Sequence, residues 1–266
     1  MPSLTLDTPE LAQQYDQVSD LQYEHGQFLL AGLQLKPGNA LLDIGCGTGR
    51  LAELAARHHV GQSGRVVGVD PLPLRIELAA ARTLPQLSFA VARGEDLSAF
   101  ADGSFDAVLL NSVYHWLPDK AAVLNEAFRV LRPGGRIAIS SASRERPHDI
   151  QRILAKVLAD AGLGRGQVGG STPYRVTHAE LATQLETAGF LVDEIRLRRF
   201  ADHFPNVEAV LAFSNASSFG NFLGDYLPDV RARLQAALRG TLEALATPSG
   251  VLLHRNLHFA LARKPA

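Results

Sequence analysis

An apolar segment that ends in an acid and runs at once into three glycines on alternate positions constrains this chain more than any other stretch: Leu41-Leu42-Asp43-Ile44-Gly45-Cys46-Gly47-Thr48-Gly49-Arg50. Glycine at 45, 47 and 49 lets the backbone turn sharply and leaves N–H groups bare to a ligand. Leu51 to Ala56 continues as a helix, so the loop lies between a strand and a helix N-terminus, where doubly wound sheets bind their ligands. The dinucleotide fingerprint has a similar look, but it wants Gly or Ala at position 50, where this chain has Arg. Asp43 points the same way. A carboxylate two residues before the first glycine repels a pyrophosphate and suits a ligand that carries positive charge.

Three later segments extend the pattern. Arg65 to Asp70 reads as a second buried strand ending in an acid, which can accept ribose hydroxyls. Ser104 to Asn111 is a strand entering a polar residue, and Leu131-Arg132-Pro133-Gly134-Gly135-Arg136 closes a helix and opens another strand. Together these segments resemble class I S-adenosylmethionine-dependent methyltransferases of the small-molecule type, akin to the ubiquinone-biosynthesis and trans-aconitate enzymes, over roughly residues 38 to 142. The resemblance implies an α/β fold with a doubly wound, mostly parallel seven-stranded sheet. It implies S-adenosyl-L-methionine as cofactor, S-adenosyl-L-homocysteine as product, and contacts from Asp43, Gly45, Cys46, Gly47, Asp70 and Pro71, with Asn111 and Ser112 after the fourth strand. Arg93-Gly94-Glu95-Asp96-Leu97 stands where the family often has Asp-Ala-Glu-X-Leu. Adenine recognition is therefore assigned to the Gly94 backbone with Glu95 or Asp96.

Composition narrows the partners. A net charge of −1 offers no electrostatic footprint for nucleic acid or an anionic membrane. No run approaches the roughly 18 apolar residues of a membrane span, and the N-terminus has neither a basic start nor an apolar signal core, so a cytoplasmic protein is expected. The expected partner is a small-molecule substrate; a homodimer is compatible with the sequence. The single cysteine, Cys46, excludes an intramolecular disulfide and a multi-cysteine zinc site, and no histidine spacing suggests a metal.

Strands and helices alternate from position 40 to 141, which predicts a parallel sheet with right-handed crossovers. Three parts are expected: an N-terminal helical cap over 1–37, a core over 38–200 and 251–266, and a helical lid inserted over 201–250. The glycine-rich run from Gly162 to Gly170 reads as a mobile connection. The lid carries Phe213, Phe219, Phe222 and Tyr226, a concentration in a chain with 7% aromatics. Phe219 and Phe222 are taken to face an apolar acceptor.

His115, in Asn111-Ser112-Val113-Tyr114-His115-Trp116-Leu117-Pro118-Asp119, is the candidate catalytic base, because imidazole titrates near neutral pH and the segment follows a strand's C-terminal end. Trp116 supplies a flat apolar wall, and Asp119 caps the next helix. In the resembling enzymes N-terminal helices fold over the cofactor, which puts Tyr15 at its edge and Tyr23 there or against the acceptor. Arg144, Arg146 and Arg175 are candidate clamps for an acidic substrate. The expected activity is methyl transfer to an O, N or C atom of a small molecule. Two alternatives stay open: an NAD(P)-dependent oxidoreductase, and a non-catalytic sensor or partner protein that binds the same sulfonium.

Overall fold

The computed structural model describes residues 3–163, 174–224 and 226–266. Most of the glycine-rich run, from Gly164 to Gly170, lies outside the described residues. The central element is one seven-stranded sheet: β1 (Ala40–Ile44), β2 (Arg65–Asp70), β3 (Leu87–Val91), β4 (Phe105–Leu110), β5 (Leu131–Ala142), β6 (Leu191–Phe204) and β7 (Val251–Arg263). Their order is β3-β2-β1-β4-β5-β7-β6; only the β5–β7 and β6–β7 pairs are antiparallel. The order reverses between β1 and β4, so a crevice opens beyond their carboxyl ends, the usual ligand position in open α/β sheets.

The continuous apolar runs of the inner strands follow from burial on both faces. Alternate residues of β1 enter different cores: Leu42 and Ile44 pack with α5 (Lys120–Val130) and α7 (His178–Thr187), while Leu41 packs with α2 (Asp20–Leu33) and α3 (Arg50–His58). The β3 edge packs α4 (Pro73–Ala80). β6, the other edge, carries Arg196, Arg198 and Arg199, charges that blunt edge-to-edge pairing.

Several elements differ at their ends from the sequence reading. β5 begins at Leu131 because the Pro-Gly-Gly turn is absorbed as an irregularity in the β4–β5 ladder, where pairing jumps from Leu131 to Arg136. β6 runs on to Phe204, so the segment between the last two strands spans 205–250 rather than 201–250. Within it lie α8 (Val207–Ser217) and α9 (Pro228–Glu243). α6 (Asp149–Asp160) packs on α9, and α1 (Pro9–Val18) packs on α8.

A short 3-10 turn, Leu4–Leu6, precedes α1 and has no signal in the sequence. It is held from a distance. Asn221 exchanges two hydrogen bonds with the Ser3 backbone, at 2.9 and 3.0 Å, and the buried Arg75 guanidinium meets Asp7 at 3.2 Å while donating to the Ala216 carbonyl at 2.9 Å. Asp7→Ala would leave the Arg75 charge buried without its counter-ion. We expect a loss of about 3 kcal/mol in stability, read from urea denaturation, the scale for breaking a buried ion pair from one side.

Candidate active site

Three adjoining cavities occupy the carboxyl side of the sheet. One of about 270 Å3 is lined by Gly47, Asp70, Pro71, Gly94, Glu95 and Phe219, among others. A small one of about 30 Å3 lies beside it, between Tyr15, Tyr23, Asp43, Cys46 and Arg50. The third, of about 240 Å3, lies under α6 and α8 and includes His115, His148 and Phe222. Ser112, Trp116 and Ser217 line both large cavities and so form their common wall.

The glycine loop is shaped by close approach. Gly45 sits at φ +73°, and a Cβ there would come within 2.4 Å of a Val113 methyl; Gly47, at φ +56°, faces the Tyr15 ring. Asp70 holds the loop to the end of β2, Oδ2 accepting from the Gly47 N–H at 2.9 Å and Oδ1 from Leu72 at 3.0 Å. Burial raises the Asp70 carboxyl, and these hydrogen bonds together with Arg75 oppose the rise. Asp43 is equally buried but has no hydrogen bond to its carboxyl among the described residues, so burial, and then the Asp70 charge, push it up to about 7. Two buried acids at neighbouring strand tips, one without an internal donor, make a site that favours a cation.

Two further polar atoms lack partners there: Glu95 Oε1 and Gln22 Oε1 are buried without a hydrogen bond. Of the two acids offered as alternatives beside Gly94, Glu95 lines the larger of the first two cavities and Asp96 does not; the Asp96 carboxylate accepts from the Ser98 N–H at 3.1 Å. Tyr23 lines the small cavity with Asp43, and Phe219, expected against the acceptor, lines the larger cavity beside it, 5.1 Å from the Trp116 ring. Phe219 is drawn over by its own backbone, which adopts φ +43° beyond the end of α8. Cys46 is buried, and burial raises its thiol well above the usual value, so it is inert packing beside the loop.

Arg50 was missed as a site residue. It lines the small cavity, donates to Asp16 and Ser19, and stacks 4.9 Å from the Tyr23 ring. The signal was in plain view: the residue that breaks the dinucleotide fingerprint is a cation at the mouth of the loop.

His115 sits in a single 3-10 turn, Tyr114–Trp116, after β4. The backbone N–H of Ala142 donates to its Nδ1 at 3.2 Å. An N–H cannot face another N–H, so the proton of the neutral ring sits on Nε2. Burial, then Arg175, Lys120 and Arg255, lower the imidazole to about 3. The ring, expected as a base, therefore presents an N–H rather than a lone pair to the cavity. Of the three candidate clamps, Arg144 pairs with Glu180, Arg146 lines none of these three cavities, and Arg175 lines the third.

Residues 42–139 match a methyltransferase domain family. The ubiquinone biosynthesis O-methyltransferase of Xanthomonas axonopodis pv. citri is 32% identical over 61% of this chain and 67% of its own length. The chain belongs to the class I S-adenosylmethionine-dependent methyltransferases. The trans-aconitate 2-methyltransferase of Deinococcus radiodurans is 28% identical over 87% of this chain and 89% of its own. Among solved structures, the [4+2]-cyclase SpnF superposes with a TM-score of 0.60 at 19% identity, covering 92% of this chain and 81% of that one. At that identity the likeness speaks for the fold alone. The methyltransferase assignment makes this an enzyme acting on a small molecule.

Asp43 carries a testable cost. Its folded-state pKa lies above the ordinary value of 3.8, so the folded protein binds the extra proton, and stability falls as pH rises from about 4 through about 7. Asp43→Asn removes that penalty. We expect the ligand-free variant to gain on the order of 2 kcal/mol over the parent at pH 8 and little at pH 4, by denaturation at both values, while losing affinity for a cationic ligand.

Proposed function

We propose that the glycine loop and its two acids hold S-adenosyl-L-methionine, and that the cavity under α6 and α8 holds the methyl acceptor. The observation that carries this reading is the shared wall: an acid-lined cavity and a largely apolar one meet at Ser112, Trp116 and Ser217. The chemistry of the lining fits the cofactor. Asp43 and Asp70 suit a cationic ligand with ribose hydroxyls, Arg50 suits its carboxylate, and the orphan Glu95 Oε1 suits the adenine amino group. Cys46, Pro71, Asn111 and the Gly94 backbone complete the walls. A pyrophosphate fits poorly against two acids, which disfavours the oxidoreductase reading.

When bound, that cofactor supplies a methyl carbon already activated by its sulfonium. The protein's own work is alignment and the exclusion of water; well-oriented intramolecular reactions gain about 7–11 kcal/mol from proximity alone. Asn111 takes part indirectly. Its Oδ1 accepts from Ser140 Oγ, which in turn accepts from the Ser112 N–H at 2.8 Å, holding Ser112 at φ +59° in the common wall. His115 offers Nε2–H to an oxygen of the acceptor.

Calorimetry with S-adenosylmethionine, S-adenosylhomocysteine and NAD tests the cofactor assignment, and methyl transfer from labelled donor to a metabolite panel tests the activity. Binding of NAD alone, or donor binding without transfer, would replace this reading. For His115, we expect kcat/KM for the acceptor to fall roughly 10- to 100-fold in His115→Leu, the scale of a lost hydrogen bond to a charged group, with S-adenosylhomocysteine affinity unchanged. His115→Gln, which keeps an N–H, should retain most of the rate. With the imidazole at about 3, its titration gives the parent no rise in rate between pH 6 and 8, and a limb near 6.5 abolished in His115→Gln would restore the base.

A further inference from the structure

The three cavities converge on one side chain of α2. Tyr15, Gly45 and Asn111 line both the small cavity and the one of about 270 Å3, and Ser112, Trp116 and Ser217 line both large ones. Gln22 closes the circuit: of the described residues around the small cavity, it alone also lines the third. Its Oε1 is buried without a hydrogen bond, and a buried carbonyl left in that state costs stability unless a ligand supplies the donor.

The residue is held in place through its own backbone. The Gln22 carbonyl accepts from Asn111 Nδ2 at 2.9 Å, and Asn111 Oδ1 accepts from Ser140 Oγ at 2.9 Å, so the first turn of α2 is tied to the residue that follows β4. Gly26, one turn on, permits that approach: a Cβ there would come within 2.8 Å of Asn111 Nδ2 and 2.4 Å of a Leu51 methyl. Gln22 is therefore fixed beside the switch point between β1 and β4, where the sheet opens its crevice.

Resting on the cofactor assignment above, we infer that Gln22 Oε1 seats the methyl group to be transferred, and that this one oxygen sets how the protein distinguishes donor from product. The sulfur joins the amino-acid arm of the cofactor to its nucleoside, and so belongs beside Tyr15, Gly45 and Asn111, where the small cavity meets the one that holds Asp70 and Glu95. The arm already finds both signs of charge that it needs, Asp43 and Arg50, within the small cavity. Gln22 leads from that cavity into the acceptor's, the direction the methyl has to take. The C–H bonds of a methyl on a sulfonium are polarised, and a carbonyl oxygen without another donor accepts from them. A carboxylate in the same place would add a third negative charge to Asp43 and Asp70, whereas the amide supplies an acceptor without one. S-adenosylhomocysteine has no methyl to offer, so Oε1 is again without a partner once the group has moved, and exchange of product for donor is favoured.

The test measures binding to the full chain by calorimetry at pH 8, without turnover. The probes are S-adenosylhomocysteine, S-adenosylmethionine and sinefungin, which carries a protonated amine where the donor carries its methyl. Gln22→Met removes the carbonyl at similar volume. We expect its affinity for sinefungin to fall about 10-fold or more, the scale of a lost hydrogen bond to a charged group, and that for S-adenosylmethionine about 3-fold, with that for S-adenosylhomocysteine held within about 2-fold. Gln22→Glu, which puts a full negative charge in the same place, should instead shift affinity toward sinefungin and S-adenosylmethionine relative to S-adenosylhomocysteine. A merely structural role would weaken all three probes alike in both variants, and so would a contact with the arm that they share. Either result overturns the assignment of Gln22 and leaves the cofactor reading standing. If the parent binds none of the three, both fall. Gln22→Glu is nearly isosteric with the parent, so the change in selectivity decides the matter even where Gln22→Met does not fold.

Discussion

One carboxylate ties the ligand crevice together. Asp70 ends β2, and by accepting from Gly47 and Leu72 it fixes the glycine loop of β1 to the entry of α4. That connection brings two strand tips together and carries Asp43 into the same buried space. The second acid is then held where solvation is poor and a like charge is near, so its proton is retained up to about neutral pH. A folded domain gains nothing from this arrangement in the absence of a cation. The site therefore stores unfavourable electrostatics that a positively charged ligand relieves, an instance of stability being given up where binding is needed.

The same logic separates the two ends of the reaction space. Around the glycine loop, acids and orphan acceptors dominate; around His115 and His148, donors and cations do. The division is made by backbone, because the ladder N–H groups of Ala142 and Asn256 decide which nitrogen of each imidazole is left to the cavity. The two cavities meet at a thin wall. Ser112 and Trp116 are that wall.

The architecture was legible because the strands are apolar along their whole length and the turns between them are specified by glycine, proline and capping residues. Asp119 and Thr177 cap α5 and α7 through Ala122 and Glu180 as their sequence contexts imply. The glycine loop was also legible, since Asp43, Gly47 and Asp70 lie at fixed offsets from strand ends. What the chain order concealed were partners distant in sequence. The tautomer of His115 depends on Ala142, 27 residues on, and the place of His148 depends on Asn256, 108 residues on. Phe219 lines the cavity of Asp70 and Glu95, a place that the sequence does not show because neither a positive φ nor a stacking partner can be read from an aromatic residue in a loop.

The covers of the two cavities are mechanically joined. Leu4 and Tyr15 line one large cavity from the N-terminal segment, whereas Val210, Phe213 and Ser214 of α8 line the other. Arg75 links them: one guanidinium meets Asp7, donates to Ala216 at the end of α8, and stacks 4.1 Å from Tyr15. The Ser3–Asn221 pair adds a second link, also between the first residues and the segment after α8. Neither cover can be displaced far without breaking hydrogen bonds to a buried cation, which is expensive. The N-terminal segment, which looks in the sequence like a separate cap, is thus tied directly to the helix that lines the neighbouring cavity.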